Sequence, residues 1–411
     1  MIKNRDILIT GQQDLDVEIG SNCVNIAFEF AKANRVLYVN YPITRKTAIK
    51  EKRKESIRKR LDVIKGISPD LIKVSDNIWN LNPRCILESI SQVRPDFLFD
   101  ILNWINNRRF AIQIQSALTR LHFNNYIHFN DSDIFRSFYL DNWLNPAPSL
   151  KAYYTRDNLV TVNYWKQHGE RVQSALMKKC DLVLANSIHL MNNGLKHNPL
   201  SFYVGQGCDF SLYDISKDTK VPDDIASIPK PIIGFIGAIM EIRLDINWIR
   251  LAAKNLPEYS FVMIGPEDEF YKSSDLHSMT NVYFLGQKRP ESLASYLNYF
   301  DVAINPQVLS PGTIGNYPRK IDEYLYMGKP VVVRKTNAME MFAEHCYLAS
   351  TEEEFYHKIE MAIQNNSKEK ENKRKLFASK HTWENSVNEM YLAMEKAEEL
   401  KLSGNSIVKM K

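Results

Sequence analysis

Short apolar runs bounded by polar or turn residues alternate along this chain with longer segments whose apolar positions recur every three or four residues. Residues 6–10 (DILIT) and 35–40 predict buried strands. Between them, Ser21 is placed to cap a helix over 22–32, which makes a parallel βαβ unit. The same grammar predicts strands over 71–74, 78–81, 126–129, 151–155, 181–185 and 202–204, and helices over 96–121 and 133–140. A second series follows, with strands over 232–237, 261–265, 282–286, 301–306, 328–333 and 347–349 and helices over 352–365 and 381–400. Residues 214–231 are polar, carry three prolines and predict a linker. The expected fold class is α/β, with two doubly wound, Rossmann-like domains facing a cleft, 1–213 and 214–380. A third segment, 381–411, would be a C-terminal helix with a frayed tail from residue 402.

At 411 residues the chain is long enough for two such domains. It shows no apolar run of bilayer length, and its N-terminus enters a strand directly, without the apolar core of a signal peptide. Five scattered cysteines without a Cys-x-x-Cys pair read as free, buried thiols of a reducing compartment, so a cytoplasmic location is expected. The formal charge of +5 is concentrated. The segment from Arg45 to Arg60 (RKTAIKEKRKESIRKR) holds nine basic and two acidic residues, net +7, and leaves the remainder near −2. Such a patch suits an anionic membrane surface or an anionic acceptor, or it is a solvated helix. It lacks the interleaved aromatics of a nucleic-acid surface, and no nucleic-acid partner is expected. The histidines show no metal-ligand spacing, so no metal and no cofactor is expected, and His128, inside an apolar strand, reads as a core residue.

The richest chemistry lies in residues 312–334 (GTIGNYPRKIDEYLYMGKPVVVR). Gly312, Thr313, Ile314, Gly315 and Asn316 form a small-residue loop whose amides could turn toward a ligand. Pro318 suits the first turn of a helix, and Arg319 and Lys320 add cations there. Glu323 lies one turn on, placed to reach a ribose diol, and Gly328 would end the helix before a buried strand. A nucleoside diphosphate is the ligand this arrangement predicts. In the first half, polar residues at the ends of predicted parallel strands select Asn130-Asp131 and Arg156-Asp157. Asp14, Asp16 and Glu18 make the first loop acidic, better matched to acceptor hydroxyls than to phosphates, although solvation explains them as well.

Residues Pro318, Lys320, Glu323, Tyr324 and the run Gly-Lys-Pro-Val-Val from Gly328 resemble the donor-binding segment of GT-B-fold glycosyltransferases, in the large retaining superfamily that uses nucleotide sugars. CDLVLANSIHLMNNGL and VGQGCDF are similar to the end of that superfamily's first domain. The resemblance implies that Glu323 grips the nucleotide ribose and that the donor is a UDP or GDP sugar. It implies that Asp157 acts near the anomeric carbon, that Asp14 and Asp16 face an acceptor, and that the C-terminal helix within 381–411 crosses back to the first domain. The strand over 232–237 in such enzymes is followed by cations for the diphosphate; here Gly237, Arg243, Arg319 and Lys320 take that place, while Gln287 and Arg289 would flank the base. Two departures stand out. Gly315 occupies the position of the superfamily's first glutamate, and Ala238 that of an arginine. The Gly-Ala-Ile run from Gly237 resembles a subgroup similar to teichuronic-acid and other cell-surface polysaccharide transferases. The implied activity is sugar transfer to such a polysaccharide or a lipid-linked glycan, of hexosyl type and with retention, at the inner face of the plasma membrane. A nucleotide-sugar epimerase and a non-catalytic descendant remain open alternatives here.

Overall fold

The computed structural model of the chain describes residues 2–16, 21–213 and 220–403. Two compact units emerge, Met1–Gly205 with Ser386–Lys411, and Gln206–Asn385. The chain passes between units after Gly205 and Asn385, where the sequence suggested 213 and 380. The shift has a packing cause. A Cβ on Gly207 would lie 2.3 Å from the Trp383 ring, and Cys208 bridges Thr382, so these residues fold with the second unit. Glu18 and the tail beyond residue 403 lie outside the described residues.

The first unit runs β1 (Asp6–Gly11), α1 (Asn22–Ala31), β2 (Arg35–Val39), α2 (Arg45–Lys50), α3 (Glu55–Ile64), β3 (Leu71–Ser75), β4 (Ile78–Leu81), α4 (Asp96–Leu121), β5 (Tyr126–Asp131), β6 (Leu150–Thr155), α5 (Gly169–Lys179), β7 (Leu182–Ala185), α6 (Ile188–Leu195) and β8 (Ser201–Tyr203). Its sheet has the order β3-β4-β2-β1-β5-β6-β7-β8, parallel except at the β3–β4 edge. Strands such as ILI and VLYV are apolar throughout because helices cover both faces. Inside β5, His128 is buried and bonds Thr10 Oγ1 at 2.9 Å, a core histidine as expected.

The helix expected over 133–140 does not form. Residues 134–139 are consecutive turns, closed by a 3-10 turn at Leu140–Asn142. Asp133 explains it: its carboxylate accepts from the Arg136 amide and guanidinium and from the Ser137 hydroxyl, local bonds that compete with a helical ladder.

The second unit runs α7 (Asp223–Ala226), β9 (Ile232–Ile236), α8 (Ile246–Asn255), β10 (Ser260–Ile264), α9 (Glu269–Lys272), β11 (Val282–Gly286), α10 (Leu293–Tyr299), β12 (Val302–Asn305), α11 (Lys320–Tyr326), β13 (Val331–Arg334), β14 (Tyr347–Ala349), α12 (Glu352–Gln364) and α13 (Lys368–Ala378). All six strands are parallel, in the order β11-β10-β9-β12-β13-β14. The β9–β12–β13 centre is packed tightly enough that a Cβ on Gly234 would meet the Phe300 ring at 2.0 Å. The expected linker is only partly one: Ile225 and Ile228 are buried in this unit's core, and residues 214–219 lie outside the described set. In α13 the buried Arg374 donates twice to Gly328 O and so caps α11. Finally α14 (Trp383–Leu402) begins in the second unit and joins the first from Ser386 onward. There the Tyr391 ring packs on Phe30, and its hydroxyl accepts from Asn34 Nδ2 at 2.9 Å.

Candidate functional site

In a parallel sheet the loops after the strands converge at one edge, and chemistry collects there. At that edge of the second unit, β9 ends in Gly237 and β10 in Gly265. Both have positive φ, 148° and 147°, a region that favours glycine. They stack closely: a Cβ on Gly265 would fall 1.9 Å from Gly237 O. The Lys320 ammonium lies over this pair, 3.9 Å from the Phe235 ring centroid, where a Cβ on Gly237 would meet Nζ at 2.4 Å. Burial in this apolar pocket lowers the Lys320 pKa to about 7, with Glu323 opposing and Arg243 reinforcing the shift. Arg243, itself exposed, is therefore close enough to add a second cation.

Arg319 and Glu323 form an i, i+4 pair at 3.4 Å on α11, with the Glu323 side chain 18% exposed. On its other side the carboxylate takes a hydrogen bond from Tyr213, whose phenol is pushed far up by burial and by Glu323. The candidate ribose ligand is thus braced from two sides at the margin of the cationic pocket.

Three of the loop amides that the sequence suggested for a ligand cradle are turned inward. Thr313 N and Ile314 N donate to Ser310 O at 3.0 and 2.9 Å, and Asn316 N to Thr313 O at 3.0 Å. At the start of α11, Ile321 N bonds Pro318 O while Asp322 N and Glu323 N bond Arg319 O. Thr313 Oγ1 also closes the loop on Val308 O and the Ser310 amide. With these amides engaged, the cations of Lys320, Arg243 and Arg319 are the groups best placed for an anion. Asn316 Oδ1 is buried without a partner, an acceptor suited to a hydroxyl or a base N–H. Gln287 and Arg289 follow the edge strand β11 and are both exposed. Arg289 N-caps the 3-10 turn Pro290–Ser292, and β10 separates β11 from the β9 end that carries the pocket.

A buried carboxylate that the sequence did not single out supports the site from behind. Asp322 is fully buried and accepts from Tyr317 Oη at 2.7 Å and His381 Nδ1 at 2.6 Å, with Cys208 Sγ at 3.8 Å. Burial raises its pKa against the pull of His381 and Tyr317. It ties the 312–318 loop and the lead into α14 to α11. Asp322→Asn is expected to lower the unfolding free energy by about 2 kcal/mol, through loss of charge-assisted bonds to a buried group; a denaturant melt unchanged from wild type would contradict this.

The corresponding edge of the first unit holds an internal ion pair, Asp131 with Arg156 Nε at 3.0 Å, at the ends of β5 and β6. Burial raises the Asp131 pKa while Arg156 opposes it. Asp157 stands beside it, 49% exposed and 3.6 Å from Arg156 Nη1. Asp14 is engaged structurally: it pairs with Arg60 at 2.6 Å and accepts from Tyr41 N at 3.2 Å, and burial raises its pKa. Asp16 remains exposed, 3.6 Å from Arg60. The basic segment is thereby partly turned inward. Arg60 closes on the acidic loop, and Arg45 closes on Glu88, which Arg109 also holds at 3.0 Å. Among the described residues there is no cluster that could hold a metal ion and no helix long and apolar enough to cross a membrane.

Comparison with known proteins places this architecture. Residues 230–365 match the family described as glycosyl transferases group 1. The chain is 29% identical over 131 residues to a Bacillus subtilis (strain 168) protein named "Putative teichuronic acid biosynthesis glycosyltransferase TuaH", covering 31% of this chain and 33% of that one. The match therefore spans about a third of that relative's length. Among solved structures, the Burkholderia multivorans α,α-trehalose 6-phosphate synthase superposes with a TM-score of 0.67 at 8% identity, covering 97% of this chain and 100% of its own. Anabaena HepE in complex with UDP gives 0.65 at 13% identity over 95% and 100% of the two chains. The sucrose-phosphate synthase of Thermosynechococcus elongatus gives 0.58 at 13% identity over 98% of each. The chain shares the GT-B fold of these solved structures, and residues 230–365, within its second unit, match the group 1 glycosyl transferase family.

Proposed function

We propose that the chain transfers a sugar from a nucleotide-diphosphate donor of UDP or GDP type to a cell-surface polysaccharide or a lipid-linked glycan. The observation that carries this reading is the Lys320 ammonium held against Gly237 and Phe235 with Arg243 nearby, a small pocket of positive charge at a strand end. When the bond between the anomeric carbon and the diphosphate breaks, negative charge develops on the departing phosphate oxygens. Lys320, Arg243 and Arg319 are set to stabilise it without a metal, and in such a transfer this stabilisation lowers the barrier more than any other single effect. Glu323, braced by Arg319 and Tyr213, takes the ribose hydroxyls. On the first unit, Asp157 is the exposed carboxylate at a strand end and acts on the transferred sugar. Asp16 is the exposed carboxylate for an acceptor hydroxyl, with Asp14 positioning the loop through Arg60.

HepE has been crystallised with UDP and with UDP-glucose, and the Escherichia coli trehalose-6-phosphate enzyme with UDP-2-fluoro glucose, which favours UDP over GDP as the carrier and a hexose as the sugar. Retention of anomeric configuration is part of the proposal. So is a cytoplasmic location, with the segment from Arg45 to Arg60 resting on the anionic inner face of the plasma membrane.

Calorimetric titration with UDP, GDP and ADP tests the donor class. One of them is expected to saturate the protein, and Glu323→Ala to weaken that binding by about 1–3 kcal/mol through loss of a charge-assisted bond. Full affinity in the variant would remove Glu323 from the site. Silence with all three nucleotides would point to the non-catalytic alternative.

A further inference from the structure

Helix α4 is apolar on two sides. One side is buried in the first unit through Phe99, Phe110, Ala111, Ile114 and Leu118. The other carries Phe97, Ile101, Trp104 and Ile112 at spacings of four, three and eight residues, with exposures of 70%, 53%, 39% and 56%. That spacing puts them in a stripe on one face over roughly 22 Å at 1.5 Å per residue, with the exposed Arg108 set between Trp104 and Ile112. Large apolar side chains gathered exposed on one helix face mark an interaction site. Trp104 packs edge-on to Trp143 at 4.8 Å, with the Arg108 guanidinium 5.1 Å over the Trp143 ring. Tryptophan with arginine at the rim of an apolar surface is the combination found at the headgroup level of bilayers.

The stripe adjoins the basic segment. A groove of about 660 Å³ runs between α2 and α4, lined by Lys46 and Ile49 on one side and Leu102 and Ile105 on the other. Glu88, held by both Arg45 and Arg109, ties the two helices together, and those arginines bring its pKa down to about 2. Ile49 is 66% exposed, and Lys46, Lys50, Lys52 and Arg53 are exposed around it. We infer that this face of the first unit docks on an anionic bilayer, with the α4 stripe and Ile49 entering the interface and the α2–α3 cations meeting lipid headgroups. Charge selects this occupant: a second copy would bring the same lysines and arginines face to face, whereas anionic lipid neutralises them. The inference rests on the membrane contact proposed above and not on the donor chemistry. It adds an apolar component that a basic segment alone would lack.

Sedimentation of the full chain with vesicles of phosphatidylglycerol and phosphatidylcholine, against phosphatidylcholine alone, separates the two components. Wild type is expected to bind the anionic vesicles, with a fraction that survives a rise from about 0.1 to about 0.5 M salt, since screening weakens charge contacts and leaves apolar ones. Ile101→Glu/Trp104→Glu should lose that salt-resistant fraction and bind roughly tenfold less at low salt. Lys46→Ser/Lys50→Ser/Arg53→Ser should keep a weak, salt-insensitive remainder. Thermal melts confirm that both variants, changed only at exposed positions, remain folded. Stripe-variant binding equal to wild type would overturn the inference while leaving the basic segment's contact intact. No wild-type binding would overturn both. A wild-type dimer that the stripe variant converts to monomer would assign the face to a second copy and overturn it too. UDP titration of the same samples reads the donor site separately.

Discussion

Lys320→Met should yield a protein that is more stable than wild type at neutral pH and no longer binds a nucleoside diphosphate. In the folded chain the ammonium sits against Phe235 and Gly237, which lowers its pKa to about 7, whereas an unfolded lysine titrates near 10.4. Between these values the unfolded chain binds more protons than the folded one, so wild-type stability rises as pH climbs from about 7 toward about 10. Below about pH 7 the charged, desolvated lysine opposes folding in full. Methionine keeps the stem's contact with the Phe235 ring and removes the charge, and a gain of about 1–2 kcal/mol is expected in denaturant melts at pH 6–7. The pH slope should flatten with it. Bound diphosphate should raise the lysine pKa, so that UDP binding to wild type at pH 8 takes up a proton, seen as a buffer-dependent enthalpy. A variant less stable than wild type that still bound UDP normally would refute this account of the pocket.

The second large effect is expected at Gly265. A methyl group there would need φ near 147° and would lie 1.9 Å from Gly237 O, in a residue whose own N–H is committed to Ile264 O. Neither strand end can move without breaking the β9–β10 ladder. Gly265→Ala should lower the unfolding free energy by about 3–4 kcal/mol, from strain and overpacking together. Gly286→Ala is the matched control: its φ of 68° is also positive, but nothing lies within 4 Å of the added carbon. It should lose only about 1 kcal/mol. Equal losses in the two variants would show that φ strain alone, and not the contact with Gly237, fixes the strand end.

Much of the fold was legible because buried parallel strands have to be apolar runs and their crossovers have to be helices. β1, β2, β5, β9, β10 and β13 fall where the runs placed them. Failures came where side chains overrule the pattern. Asp133 bonds its own neighbours and converts an expected helix to turns. In the site, Lys320, Arg319, Arg243 and Glu323 were legible as charges on one short segment or near one strand end. The fate of the loop amides was not, since it depends on Thr313 and Ser310 closing the loop on itself. Asp322 was hidden for a related reason. Next to Glu323 it reads as one more helix-start acid, and its partner His381 lies 59 residues away. The pairing of Asp14 with Arg60 was equally invisible, because acid and base belong to separate segments that only the fold brings together.

The first unit is sewn from both ends of the chain. From Ser386 onward α14 supplies Tyr391 to Asn34 and Phe30, Glu398 to Arg5 and Lys401 to Asp181. On the ribosome, the segment that begins first is therefore finished last. The whole of Gln206–Asn385 must emerge before α14 can dock, a wait of roughly 10–40 s at ordinary elongation rates. Only at the end of that interval does the second unit have every residue it needs to fold, and throughout it the earlier-made sheet carries an uncovered seam along Phe30 and Asn34. A premature stop just before α14 would accordingly wound the unit made before the intact one.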